Sequence, residues 1–180
     1  RDIYAAGAVQ AGDEDDYFQS NLFVVARRRI VWLAVLVLAN GLTTQVIAMN
    51  DEVLKQVVLL TAFIPLLIGA GGNVGAQSST VVIRGLSTQR IQRLGLFRAI
   101  AKEALAGALL GVLMAVFVVP FAWWQGQGPL VATAVGISLI AITTLAATAG
   151  ASLPLFFDRM GLDPALMSAP FITTATDVAG

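Results

Sequence analysis

Long apolar runs, with almost no charge inside them, limit most severely what this chain can fold into. Five can be drawn: residues 30–49, 53–83, 99–121, 130–157, and one from 164 that is still running at 180. A helix needs about 20 apolar residues to cross roughly 30 Å of hydrocarbon. The first four runs meet that length, and the fifth reads as cut short. A helix on the surface of a soluble domain carries a polar stripe. The stretch AGALLGVLMAVFVVPFAWW at 106–124 carries none. Only 12% of the residues are charged and 57% are hydrophobic, against about 25% charged in an ordinary soluble domain. The expected fold class is all-α: a polytopic membrane protein with five transmembrane helices, the last truncated. The lipid bilayer is its solvent.

The same composition excludes whole classes of chemistry. A net charge of zero gives no basic field for nucleic acid, so none is expected as a partner. With no cysteine and no histidine, thiolate catalysis, disulfides, imidazole acid–base chemistry and the usual zinc sites are gone. A metal handled here must meet oxygen ligands, which suit magnesium or calcium. The sequence starts at Arg1 and ends inside an apolar stretch, so it is expected to be a piece of a longer protein. No signal peptide is expected, because an acidic segment containing Asp13, Glu14, Asp15 and Asp16 precedes the first apolar run.

Basic residues set the expected orientation. Arg27, Arg28 and Arg29 precede the first run; Arg84, Arg90, Arg93, Arg98 and Lys102 lie around the second connection; Arg159 lies in the fourth. With short connections these fall on one side together with Arg1, and of the eleven basic residues only Lys55 falls on the other. The positive-inside rule makes that side cytoplasmic, with the amino terminus inside. Trp123 and Trp124 mark the opposite interface, where indoles anchor. The expected location is the cell inner (plasma) membrane, with several passes. Residues 1–26 form a cytoplasmic connecting region and 27–180 the transmembrane domain.

Two stretches carry the chemistry. The first is GAGGNVGAQSSTVVIRG at 69–85. Asn73 and Gln77 are four apart and share a helix face; Ser78, Ser79 and Thr80 add hydroxyls, and Pro65 upstream is placed to kink the helix. Small residues let helices approach closely, so a tight helix–helix seam is one reading. A pore wall of carbonyls and amides facing water is the other, since bare polar backbone at membrane depth must line a cavity or meet protein. No Gly-Lys-Ser/Thr follows, so a phosphate loop is not expected.

The second stretch is DPALMSAPFITTATDVAG at 163–180. Asp163 and Pro164 read as an N-cap and first turn, and Pro170 frees a carbonyl near Leu166. Asp177 lies thirteen residues past Pro164, roughly 20 Å along a helix and deep in the bilayer. An ionised side chain there costs about 2.5–3.5 kcal/mol on insertion scales and usually faces a water-filled ion path. Glu103, next to Lys102, is expected to be interfacial or salt-bridged.

In this order, GGNVGAQSSTVVIRGL at 71–86 and LDPALMSAPFITTATDVAG at 162–180 resemble the MgtE family of magnesium channels and transporters. FRAIAKEALAGALLG at 97–111, and an acidic segment followed by Tyr17, Phe18 and an arginine run, fit the same pattern. The resemblance implies a homodimer with five membrane helices per subunit and a transmembrane pore in 27–180. Residues 1–26 would be a plug-like helix region, and the magnesium-binding cytosolic regulatory domains, including CBS domains, lie outside this sequence. It implies magnesium as transported ion and ligand, with Asp177 recognising the hydrated ion and Gly72 and Thr173 contributing beside it. Asn73, Ala76, Gln77, Ala169 and Thr174 are the implied pore-lining candidates, with alanine at Ala76 and Ala169 where some relatives carry Asn. The expected function is a divalent-cation pore driven by membrane potential, not an enzyme. The alternatives are a counter-ion-coupled divalent cation exchanger, an intramembrane aspartyl enzyme and a non-conducting scaffold.

Overall fold

The computed structural model describes residues 22–49, 58–164, 171–172 and 174. Every regular element among them is a helix: α1 (Leu22–Met49), α2 (Val58–Thr61), α3 (Ile64–Ser87), α4 (Arg90–Leu94), α5 (Leu96–Trp124) and α6 (Pro129–Arg159). Among the described residues, α3, α5 and α6 are long and apolar enough to cross a membrane, at 24, 29 and 31 residues. The 28-residue α1 covers the first expected run. Of the fifth run, Pro164, Phe171, Ile172 and Thr174 are described, and all four are helical.

The second run differs from expectation. It is not one helix over 53–83: a turn at Ala62 and Phe63 separates α2 from α3. Pro65 does not kink a helix interior but sits in the first turn of α3. There its missing N–H would have had no intrahelical partner, and its fixed φ favours helix initiation. At its other end α3 runs on to Ser87. The Arg84 carbonyl there accepts from the Thr88 amide at 3.1 Å and from the Ser87 and Thr88 hydroxyls at 2.9 and 2.8 Å.

The membrane helices are assembled around α6, which packs along both α5 and α3 while those two scarcely touch. Three apolar clusters follow α6 from end to end. Ala132 and Val135 meet Phe63 and Ala122; Leu139 and Ile142 meet Leu67 and Ala70; Ala151 and Leu155 meet Val82, Ile91 and Ala99. In the last turn of α6, Phe157 contacts Phe171 at a ring-centroid distance of 5.4 Å, bringing the start of the fifth run against it.

Lipid is as apolar as a leucine core, so burial of apolar surface drives little association between such helices. Close van der Waals approach replaces it. The glycines show how close the approach is. A Cβ at Gly107 would lie 2.5 Å from that of Ala147, and one at Gly111 would run into the Thr143 hydroxyl and come within 2.6 Å of the Ile140 backbone. Gly107 and Gly111 are a small-xxx-small pair on the face of α5 turned to α6. On the other side, a Cβ at Gly150 would strike the Gly75 carbonyl oxygen of α3. The threonine hydroxyls of α6 and that of Ser152 bond within their own helix. Thr143 donates to the Leu139 carbonyl at 2.8 Å, and Thr144, Thr148 and Ser152 each bond the carbonyl four residues back. They add no unpaired donor to the seam.

From Leu105 onward the outer face of α5 is apolar. Leu105, Leu109, Val112, Leu113, Val116 and Phe117 are all exposed, Phe117 to 76%. Soluble monomers rarely expose a continuous apolar face of this kind, whereas acyl chains cover it without cost. Trp123 and Trp124 end the helix and are likewise exposed.

Gly150→Leu and Gly111→Val are expected to destabilise the folded chain by about 1–3 kcal/mol or more, as overpacking does. Gly69, whose Cβ would meet nothing within 4 Å, should accept alanine with no loss and a gain of up to about 1 kcal/mol. Reversible unfolding in detergent micelles measures all three, and equal losses would contradict the seam.

Candidate functional site

Helix α3 divides its residues between two faces. Leu67, Ala70, Gly71, Val74, Gly75, Ser78, Ser79 and Val82 are buried. Gly69, Asn73, Ala76, Gln77, Thr80 and Arg84 are exposed. At about 100° per residue these six fall within an arc of roughly 100°, opposite the buried set. They form a line running roughly 22 Å along the axis at 1.5 Å per residue. So one glycine-rich sequence serves both readings left open above: its buried side is a helix seam, and its exposed side is a polar strip on a membrane helix.

The chemistry of the strip is neutral along most of its length. Asn73 and Gln77 present carboxamides about 6 Å apart along the axis, and neither makes a side-chain hydrogen bond among the described residues. Thr80 donates its hydroxyl proton to the Ala76 carbonyl at 2.8 Å, which leaves its oxygen lone pairs free to accept. Gly72 is half-buried at the edge of the strip. The helix is continuous through it, so its carbonyl keeps an intrahelical bond and offers the remaining lone pair, rather than standing bare. Only Arg84, at the end of the strip, carries charge. Among the described residues, no three acidic side chains come together in a group that could hold a metal.

Asn73, Ala76 and Gln77 do share one exposed face. Ser78 and Ser79 leave it: both are buried, at 5% and 6% exposure, in the seam. Gly69 and Thr80 join it, and their spacing of four before and seven after Asn73 was readable from the sequence alone. Glu103 is half-buried and makes no ion pair among the described residues. It lines a groove. Thr174 is half-buried and has a partner. Asp177, Thr173 and Ala169 lie outside the described residues, as do residues 1–21.

A membrane helix with an uncovered amide strip invites comparison with known transporters. A family model for MgtE, described as a divalent cation transporter, matches residues 64–180. This chain belongs to the MgtE family. Curated relatives named "Magnesium transporter MgtE" come from Thermus thermophilus, 36% identical over 179 residues, and Bacillus subtilis, 32% identical over 169 residues. A third, from Enterococcus faecalis, is 30% identical over 169 residues. The alignments cover 99%, 93% and 93% of this chain but 39%, 37% and 37% of the relatives. The chain thus spans under two-fifths of the length of the curated relatives it matches. With its family and its membrane-length helices, this MgtE chain is a multi-pass membrane protein. The family match takes in all of α3, and so the whole strip.

The two faces of α3 predict opposite responses. Asn73→Leu and Gln77→Leu should leave the stability of the micelle-embedded chain within about 0.5 kcal/mol. Ser78→Leu, which overfills the seam, should cost about 1–3 kcal/mol. A loss at Asn73 or Gln77 matching that at Ser78 would contradict the assignment of faces.

Proposed function

We infer that this chain forms the membrane pore of a magnesium transporter, and that the ion passes along the exposed strip of α3 with its hydration shell largely kept. The observation that carries the reading is the uncovered run of Gly69, Asn73, Ala76, Gln77 and Thr80 on a helix of membrane-spanning length. Facing acyl chains, two exposed carboxamides would each be costly. Facing a water-filled path, they cost nothing and can hydrogen-bond the waters around an ion. The name of the curated relatives supplies the ion. Magnesium gives up its waters reluctantly and usually keeps several, so neutral amides, hydroxyls and second carbonyl lone pairs suit it through its shell.

A neutral strip guides a hydrated ion but does not concentrate it. In the proposed pore Asp177 supplies the missing negative charge from the fifth run, with Thr173, Gly72 and Thr174 beside it and Ala169 lining the same passage. A second copy of the chain would complete the ring, since one α3 strip provides only one wall. The homodimer, the five membrane helices and the cytoplasmic amino terminus all belong to this proposal. The membrane potential drives entry: each charge gains about 2.3 kcal/mol per 100 mV, so a divalent ion needs no coupled gradient. The counter-ion-coupled exchanger remains the competing mechanism.

In proteoliposomes with an imposed inward-negative potential and no sodium or proton gradient, magnesium influx should proceed. Influx that requires such a gradient would establish the exchanger instead. Asp177→Ala should lower influx at least tenfold, equivalent to about 1.4 kcal/mol, and Asp177→Asn should lower it measurably. Wild-type influx in both variants would remove Asp177 from the pore.

A further inference from the structure

The basic residues between α3 and α5 frame a groove with its own chemistry. After Ser87 the chain turns through Gln89, which adopts a left-handed conformation with φ 56°. It then folds α4 back so that Ile91 packs on Gly85, where a Cβ would come within 2.9 Å of the Ile91 side chain. Gly95, at φ +89°, reverses the chain into α5. Residues from the end of α3, α4 and the first turns of α5 enclose a cavity of about 470 Å³. Arg84, Arg90 and Lys102 bring three positive charges to it, and Glu103 one negative charge. None of the four makes an ion pair among the described residues. Its floor includes the buried Ile91 and Ala99, and its walls include Val81 and Leu94, exposed to 57% and 45%.

We propose that this groove binds the headgroup of an anionic phospholipid, with the phosphate among Arg84, Arg90 and Lys102 and an acyl chain along Val81 and Leu94. Charge complementarity favours this occupant. Three cations against one carboxylate leave a net charge of +2, which a zwitterionic headgroup does not match and a phosphodiester with no compensating amine does. The guanidinium groups can bond phosphate oxygens in pairs. Basic pockets between membrane helices, on the side where positive residues collect, suit such headgroups. Apolar walls running on from the basic rim suit a molecule with a charged head and a hydrocarbon tail, and offer nothing to soluble phosphate. The lipid would also brace the α3–α5 connection from outside, where α3 and α5 themselves scarcely touch. This site is independent of the ion path proposed above, although Arg84 stands at the end of both.

Native mass spectrometry of the full chain, released from detergent with defined lipid, tests the proposal. The wild-type chain should retain phosphatidylglycerol at least tenfold over phosphatidylcholine, at one tightly held molecule per chain. The combined substitution Arg84→Gln, Arg90→Gln, Lys102→Gln should reduce that retention about tenfold, and replacing both arginines with lysine should keep most of it. Glu103→Gln, which removes the opposing charge, should raise retention about threefold. That variant keeps the test decisive should the triple substitution fail to fold. Arg93→Gln with Arg98→Gln, outside the groove lining, should leave retention unchanged. Equal retention of phosphatidylcholine, full retention by a folded triple variant, no gain in Glu103→Gln, or an equal loss on changing Arg93 and Arg98 would each overturn the proposal. So would glycerol 3-phosphate binding as tightly as the lipid, which would mark a soluble-phosphate site. So would a tenfold gain on neutralising Asp13, Glu14, Asp15 and Asp16, which would make that acidic segment the occupant.

Discussion

The contact of backbone on backbone between α6 and its two neighbours fixes everything else in this chain. Helices in lipid gain little by hiding leucines from one another. They hold together where a glycine lets a main chain come near enough for many small dispersion contacts. Gly150 meets the Gly75 carbonyl on one side of α6, while Gly107 and Gly111 meet Thr143 and Ala147 on the other. Such contacts set rotation as well as distance. Because α3 must turn Gly71, Gly75 and Ser78 towards the seam, it must turn Asn73, Ala76, Gln77 and Thr80 away from it. The polar strip is a geometric consequence of where the helix is held.

That consequence explains an otherwise costly arrangement. Two exposed carboxamides, without hydrogen-bonding partners among the described residues, are tolerable on a membrane-length helix only if water or another polar surface reaches them. Along α5 from Leu105 to Phe117, by contrast, the large outward residues are leucine, valine and phenylalanine, and lipid is a sufficient neighbour. The two outer faces of this helix layer therefore ask for different surroundings. The proposed pore assigns water and a hydrated divalent ion to one and acyl chains to the other.

Much of this was legible in the sequence, because membrane helices advertise themselves by length and by missing charge. The run at 99–121 became α5 (Leu96–Trp124) and the run at 130–157 became α6 (Pro129–Arg159), each with only a few residues added at its ends. The run at 53–83 was misread where hydropathy says nothing about turns: Ala62 and Phe63 are apolar, yet the chain breaks there and Pro65 starts a new helix. The shared face of Asn73 and Gln77 followed from their spacing. The departure of Ser78 and Ser79 to the buried side did not, because composition cannot say which side of a glycine-rich helix its neighbour occupies. Glu103, expected to be interfacial or salt-bridged, is half-buried in the first turns of α5, makes no ion pair among the described residues, and lines the groove with Lys102.

The central claim is that the strip on α3 faces water within the membrane, and the chain is well suited to a direct test because it contains no cysteine. Single substitutions Gly69→Cys, Asn73→Cys, Ala76→Cys and Thr80→Cys can be compared with Leu109→Cys, Leu113→Cys and Phe117→Cys on the outer face of α5. The measurement is the rate of modification by a membrane-impermeant thiol reagent in liposomes, with and without magnesium. The account predicts fast modification along α3, slowed by magnesium, and little along α5. Comparable rates on the two helices, or modification of α3 indifferent to magnesium, would contradict it.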